Sequence, residues 1–183
     1  MSDELLVRHC SPTLAGMKAG SLFPCDCPSP KALCEEIRHL NRMLVPKGLC
    51  VLPLRLKDER ALIYVYRPSS LSTVLQDSTA AGILADCGYE ESGVGPCVCH
   101  LCNRFRSGED FPHEVGLFLG YPPEDVRGFI DHKACNYKCV GCWKVYGDAQ
   151  AAQETFARYK KCTAAYCSQW QKGKSIEQLT IAC

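Results

Sequence analysis

The chain has 183 residues, the length of one ordinary domain, and folding at that size buries roughly 70% of the surface the unfolded chain exposes. Hydrophobic residues make up 46% and charged residues 22%, a globular balance that excludes disorder, collagen-like repeats and low-complexity tails. Lys plus Arg number 21 against 20 for Asp plus Glu, a net charge of +1; the chain thus has no global field to hold nucleic acid or an anionic membrane, and no apolar run approaches the ~18 residues of a membrane span.

In chain order, Ser11-Pro12 reads as an N-cap followed by the first residue of a short helix reaching about Met17, which leaves Cys10 just before a helix N-terminus. Ser29-Pro30 has the same form, and Leu33, Ile37, Leu40 and Leu44 then recur at helical spacing until Pro46-Lys47-Gly48 stops the run. Residues 49–56 and 61–67 flank the polar turn Lys57-Asp58-Glu59-Arg60 and predict a hairpin, with Pro53 placing the first strand at an edge or on a bulge. Short helices capped near Ser70 and Ser78 follow and end at Gly88. Phe111 to Asp131 holds two more, opened by Pro112 and Pro122, with Glu124 and Asp125 favourably placed in a first turn. Residues 140–146 read as a strand. Gly147-Asp148 then opens a long helix with an apolar stripe of Ala152, Phe156, Tyr159, Thr163, Tyr166 and Trp170, closed by Gly173. Ile176, Leu179 and Ile181 predict a last strand near 177–182. The expectation is an α+β fold, one domain over residues 1–183, with a small sheet of about four strands packed with helices.

The abnormal number is 15 cysteines. An odd count forbids complete internal pairing, and Asp3 and Glu4 stand where an export signal needs positive charge. A cytoplasmic protein is therefore expected, with cysteines acting as buried hydrophobes, metal ligands or reactive thiols rather than disulfides.

Three segments carry a resemblance: His9-Cys10-Ser11-Pro12-Thr13-Leu14-Ala15-Gly16, Phe111-Pro112-His113-Glu114-Val115-Gly116-Leu117-Phe118-Leu119-Gly120-Tyr121-Pro122, and Cys139-Val140-Gly141-Cys142-Trp143-Lys144-Val145-Tyr146-Gly147-Asp148. Together they resemble the bacterial family catalogued as domain of unknown function 3793, found chiefly in anaerobic Firmicutes. The resemblance runs nearly end to end and implies a cytoplasmic bacterial protein made of this domain alone. It marks three sites of interest without a mechanism. The chain is richer in cysteine than the family pattern, notably at Cys97, Cys99, Cys102 and Cys135. If the three segments serve one chemistry, they must close on one pocket.

Cys10 is the sharpest single candidate, because a helix N-terminus stabilises thiolate and lowers the thiol pKa. His113 would be its base or orienter and Glu114 the partner of that histidine; His9 and His132 are alternative bases. The competing reading of Cys10 is a small buried side chain before a turn, and His113 and Glu114 equally suit capping roles in a first turn. Cys99-x2-Cys102 and Cys139-x2-Cys142 form a second constellation, two knuckles for zinc or an iron–sulfur cluster, with Cys97, Cys135, His100 and His132 as substitutes. Against it, Val98, Leu101, Cys102 and Phe105 follow an ordinary helical stripe, and Cys139 and Cys142 have opposite parity on a strand.

Cys135-x3-Cys139-x2-Cys142 has the spacing of the radical SAM cluster loop, but only 41 residues follow Cys142, too few for the barrel such enzymes build after it. His113-Glu114 lacks the second histidine of a zinc protease, Leu117 standing in its place. Phosphate-binding loops are absent. Tyr64, Tyr66, Trp143 and Tyr146 on strands are first of all packing residues, and stacking on a flavin or haem is the lesser use. The functional expectations are thus a thiol-dependent nucleophilic or redox protein, which in the redox case meets a protein redox partner, a non-catalytic zinc or iron–sulfur protein, or a partner-binding module without an active site.

Overall fold

The computed structural model describes residues 2–107 and 110–182. Helix α1, Asp3–Leu14, opens on Ser2, whose side chain accepts Leu5 N–H, and has Asp3 and Glu4 against the positive end of its dipole. Strand β1 is Gly20–Asp26. Helix α2, Pro30–Leu44, is capped by the Ser29 hydroxyl on Ala32 N–H at 3.3 Å and runs into a 3-10 turn, Val45–Lys47. Strands β2, Cys50–Lys57, and β3, Arg60–Tyr66, make the expected hairpin. Then come α3, Pro68–Leu75; α4, Ser78–Asp86; α5, Val94–Ser107; α6, Val115–Phe118; and α7, Pro123–Asp131. The two-residue strands β4, Cys139–Val140, and β5, Lys144–Val145, precede the long α8, Ala149–Gln171, and the one-turn α9, Ile176–Leu179.

The main sheet is antiparallel in the order β1-β3-β2. Both edge strands contain proline, Pro24 and Pro53, as the missing N–H requires, and the register shifts between Pro53 and Arg55. β3 is central and buried on both faces. Its Ile63 and Val65 join Leu6, Cys10, Phe23 and Ile37 in a core under α1 and α2, while Tyr64 and Tyr66 join Leu101, Leu117 and Phe118 in a core on the opposite face. A smaller third cluster, Trp143, Val145 and Ala152, packs the β4–β5 hairpin against α8 with Tyr121 and Phe156.

The fold class is α+β, as the periodicities imply, but the strands are distributed differently. Residues 140–146 form a hairpin rather than one strand, because Gly141 and Cys142 turn the chain and Gly141 N–H bonds Trp143 O at 3.0 Å. Residues 177–182 are not a strand: Ser175 and Gln178 form a capping box, and Ile176 and Leu179, three apart, are the buried face of a helical turn. β1 replaces that strand in the sheet. Its inward residues Ser21, Phe23 and Cys25 alternate weakly in hydrophobicity, and Pro24 argues locally against a strand. The helix expected to start at Ser11 starts instead at Asp3 and runs through Pro12, since Leu6, Val7, Cys10 and Leu14 make one apolar face.

Buried Arg67 fastens this end of the molecule. Its guanidinium donates to the carbonyls of Thr13 at 2.6 Å, Leu14 at 2.7 Å, Ile181 at 2.7 Å and Lys47 at 3.2 Å, so α1, the 3-10 turn and the tail after α9 converge on one cation.

Candidate functional site

Cys10 lies inside α1, fully buried between α1 and the sheet. Burial pushes its thiol up to about 12, more than offsetting the nearby Lys18 charge and a hydrogen bond with Ser21. The lowered pKa expected of a residue before a helix N-terminus does not arise, because the helix begins seven residues earlier and its dipole favours thiolate only near its first turn. Glu114 is likewise enclosed: it accepts the Tyr89 hydroxyl at 3.2 Å and pairs with Arg104 at 3.3 Å. His113 is exposed, with its ring 5.0 Å from Phe129 and 5.7 Å from Phe111.

The four knuckle cysteines divide between α5 and the β4–β5 hairpin. Cys99 and Cys142 are exposed, and Cys102 and Cys139 half-buried. Among the described residues no three of His, Cys, Asp or Glu gather where a metal ion could be held. The His100 ring lies tilted against Tyr89 at 4.1 Å and His132 stacks on Tyr146 at 5.6 Å, so these two substitute ligands pack against tyrosines.

Two hollows meet at Cys142. The first, about 350 Å³, is apolar and aromatic, walled by Phe111, His113, Phe129, Trp143, Tyr121 and Cys142. The second, about 470 Å³, lies between α1, the start of β1 and α8, and is lined by His9, Lys18, Ser21, Tyr159, Lys160 and again Cys142. No single hollow is lined by all three resembling segments: the first and third meet at the second hollow, and the second and third at the first.

Local chemistry holds Cys142 at this junction. Asp125, in the first turn of α7, is buried; its Oδ1 accepts the N–H groups of Tyr146 and Gly147, each at 2.7 Å, and its Oδ2 accepts Trp143 Nε1–H at 2.6 Å. One carboxylate thus docks the hairpin onto the helical corner. Tyr121 adds a hydroxyl donated to Cys142 O at 3.2 Å and a ring stacked 4.8 Å from Trp143. Gly141 has no side chain because the Phe156 ring fills the space a Cβ would take.

Lys18 completes the cluster. Its Nζ stands 5.1 Å from the Tyr121 ring centroid, a cation–π contact. Burial lowers the Lys18 pKa, and the nearby Cys142 and Cys10 work against that. Burial raises the Cys142 thiol, and Lys18 works against that in turn. Each group supports the charged form of the other.

Lys18 sits in Met17-Lys18-Ala19-Gly20, where no motif marks it, so its position is set by the tertiary packing of α1 on β1. Asp125 was visible only as a first-turn acid. Its real partners are 18 to 22 residues away in the chain.

Fold and site together define an α+β protein with one cysteine shared between an aromatic cavity and a lysine-containing cleft. A family model described as Protein of unknown function (DUF3793) matches residues 6–180, and the chain belongs to that family. No curated protein and no solved structure gives a significant match.

Proposed function

We propose that the protein is thiol-dependent, with Cys142 rather than Cys10 as the reactive group and Lys18 as the charge that works against the burial-raised pKa of its thiol. The observation carrying this reading is that Cys142 alone among the described cysteines lines both hollows, beside a lysine that interacts with it electrostatically. An accessible thiol next to an ammonium is the arrangement that favours nucleophilic attack on an electrophile. Its chemistry is S–C bond formation by the thiolate, with the ammonium able to return a proton to the departing group. Cys10, fully enclosed and with its thiol pushed up to about 12, serves better as a core residue. His113 borders the aromatic cavity and would orient what enters there, and Glu114 is a structural partner of Tyr89 and Arg104.

The test is a short iodoacetamide pulse on the native protein at several pH values, with peptide mass spectrometry following Cys142, Cys10 and the exposed Cys99 and Cys135. Replacing Lys18 by Met should slow Cys142 alkylation several-fold at neutral pH, because the charge that opposes the rise of its pKa is gone, leave Cys99 and Cys135 unchanged, and leave Cys10 unlabelled until unfolding. If Cys142 resists alkylation in the folded wild-type protein while Cys10 reacts, the assignment of the reactive group is wrong.

A further inference from the structure

The cleft on the α1–α8 side is basic. Lys18 and Lys160 line it, with His9, whose pKa is lowered from 6.5 by burial and by Arg8, and no lining side chain is a carboxylate. Lys18 is the unusual member: it is half-buried, and among the described residues its ammonium makes no hydrogen bond and meets no carboxylate, with the Tyr121 ring beneath it and the Cys142 and Cys10 thiols nearby. An ammonium held partly out of water with no carboxylate or phosphate against it gains from a bound anion. Ser21 and Thr163 also line the walls, their hydroxyls already bonded to Thr13 Oγ1 and Tyr159 O, and Tyr159 and Phe156 supply apolar sides. Lys160 stands at the exposed rim, where it would meet an approaching anion first.

We infer that this cleft is an anion-binding subsite, in which Lys18, Lys160 and His9 receive a carboxylate or phosphate group of a small molecule and present that molecule to Cys142. The inference deepens the thiol reading and, for the presentation step, rests on it. The ligand class is a compact anion carrying an electrophilic carbon, with the charged group seated over Lys18 and the rest of the molecule toward Cys142. Selectivity follows from charge: a neutral analogue loses the lysine contacts and keeps only the apolar walls.

Two alkylating probes that differ in charge test this. Iodoacetate and iodoacetamide form the same S–C bond with expulsion of iodide, so the ratio of their rates at one cysteine cancels its thiolate fraction. That ratio at Cys142, normalised to the ratio at exposed Cys99, should exceed unity by about ten-fold, the loss expected when a charge-assisted contact is missing. Lys160→Met should lower the normalised ratio about three-fold without slowing iodoacetamide, because Lys160 touches the anion and not the thiol. Lys18→Met should lower the ratio and also slow iodoacetamide. Inorganic phosphate should protect Cys142 from iodoacetate in a saturable manner. A normalised ratio near unity in the wild type, or one unaffected by both substitutions, overturns the inference. If neither probe labels Cys142, the thiol reading fails separately, and calorimetry with inorganic phosphate decides the subsite: saturable binding weakened about ten-fold in Lys18→Met supports it, and absent or unchanged binding overturns it.

Discussion

Replacing Asp125 with alanine should detach the β4–β5 hairpin from the helical corner. The carboxylate accepts three hydrogen bonds, from Trp143 Nε1–H at 2.6 Å and from the N–H groups of Tyr146 and Gly147 at 2.7 Å each. Removing it strands three donors, one of them on a buried indole. Each unpaired buried donor costs ~1–3 kcal/mol, less where water reaches the two half-buried backbone groups, for a total of about 3–5 kcal/mol. That is a large share of the ~5–15 kcal/mol that holds a domain together. Asparagine is milder: its oxygen can keep both backbone bonds, and its amide then faces the indole N–H, so one contact is lost, at ~1–3 kcal/mol. The assay is urea unfolding followed by fluorescence in a Trp170→Phe background, which leaves Trp143 as the sole reporter of the two tryptophans. The expected order of stability is wild type, then Asp125→Asn, then Asp125→Ala, with the Trp143 emission shifted to the red in the last. An alanine variant within ~1 kcal/mol of wild type would refute the claim that this carboxylate holds the site together.

Gly141→Ala should cost ~1–3 kcal/mol by driving a methyl group into the Phe156 ring, and Phe156→Leu in the same chain should recover part of it, giving a favourable coupling in a double-mutant cycle of urea melts. Alkaline stability follows from burial of the Cys10 thiol. Its folded pKa, about 12, lies above the reference value of 9.0, so the unfolded chain releases this proton first and stability present below pH 9.0 is lost as pH rises toward 12. Tyr66 and Tyr121, both raised from 10.0 to about 12 by burial, act in the same direction over the upper part of that window. A pH series of urea midpoints should therefore fall above pH 9, with a slope shallower by about one proton in Cys10→Ala. An identical slope in that variant would show that the Cys10 thiol titrates in the folded protein as it does in the unfolded one.

Much of the helix pattern was legible because its determinants are local. Ser29-Pro30, Gly147-Asp148 and Gly173 mark ends by capping and by glycine geometry, and the structure places helix ends beside each of them. Pro53 lies on an edge strand for the same reason, since a missing N–H excludes a central strand whatever else surrounds it. Failures came where tertiary packing overrode local signals. Pro12 looks like a helix start, yet it rides in the last turn of α1 because Leu6, Cys10 and Leu14 bury a common face. Ile176, Leu179 and Ile181 suit either period until Ser175 and Gln178 are seen to cap a turn. The site was half visible. Cys142 and His113 stood in marked segments, whereas Lys18 meets Cys142 from more than a hundred residues away along the chain, and the role of Asp125 depends on partners 18 to 22 residues on. Cys10 lies inside α1 rather than before it, and burial of its thiol reverses the sign of the pKa shift a helix N-terminus would give.

The pairing of Cys142 with Lys18 can be measured directly by ¹³C NMR on protein labelled at cysteine Cβ, with the Cys142 resonance assigned by its loss in Cys142→Ser. The account predicts that the Cys142 titration moves to higher pH in Lys18→Met, because the ammonium that opposes the effect of burial on the thiol is gone. A Cys142 titration identical in wild type and Lys18→Met would contradict it.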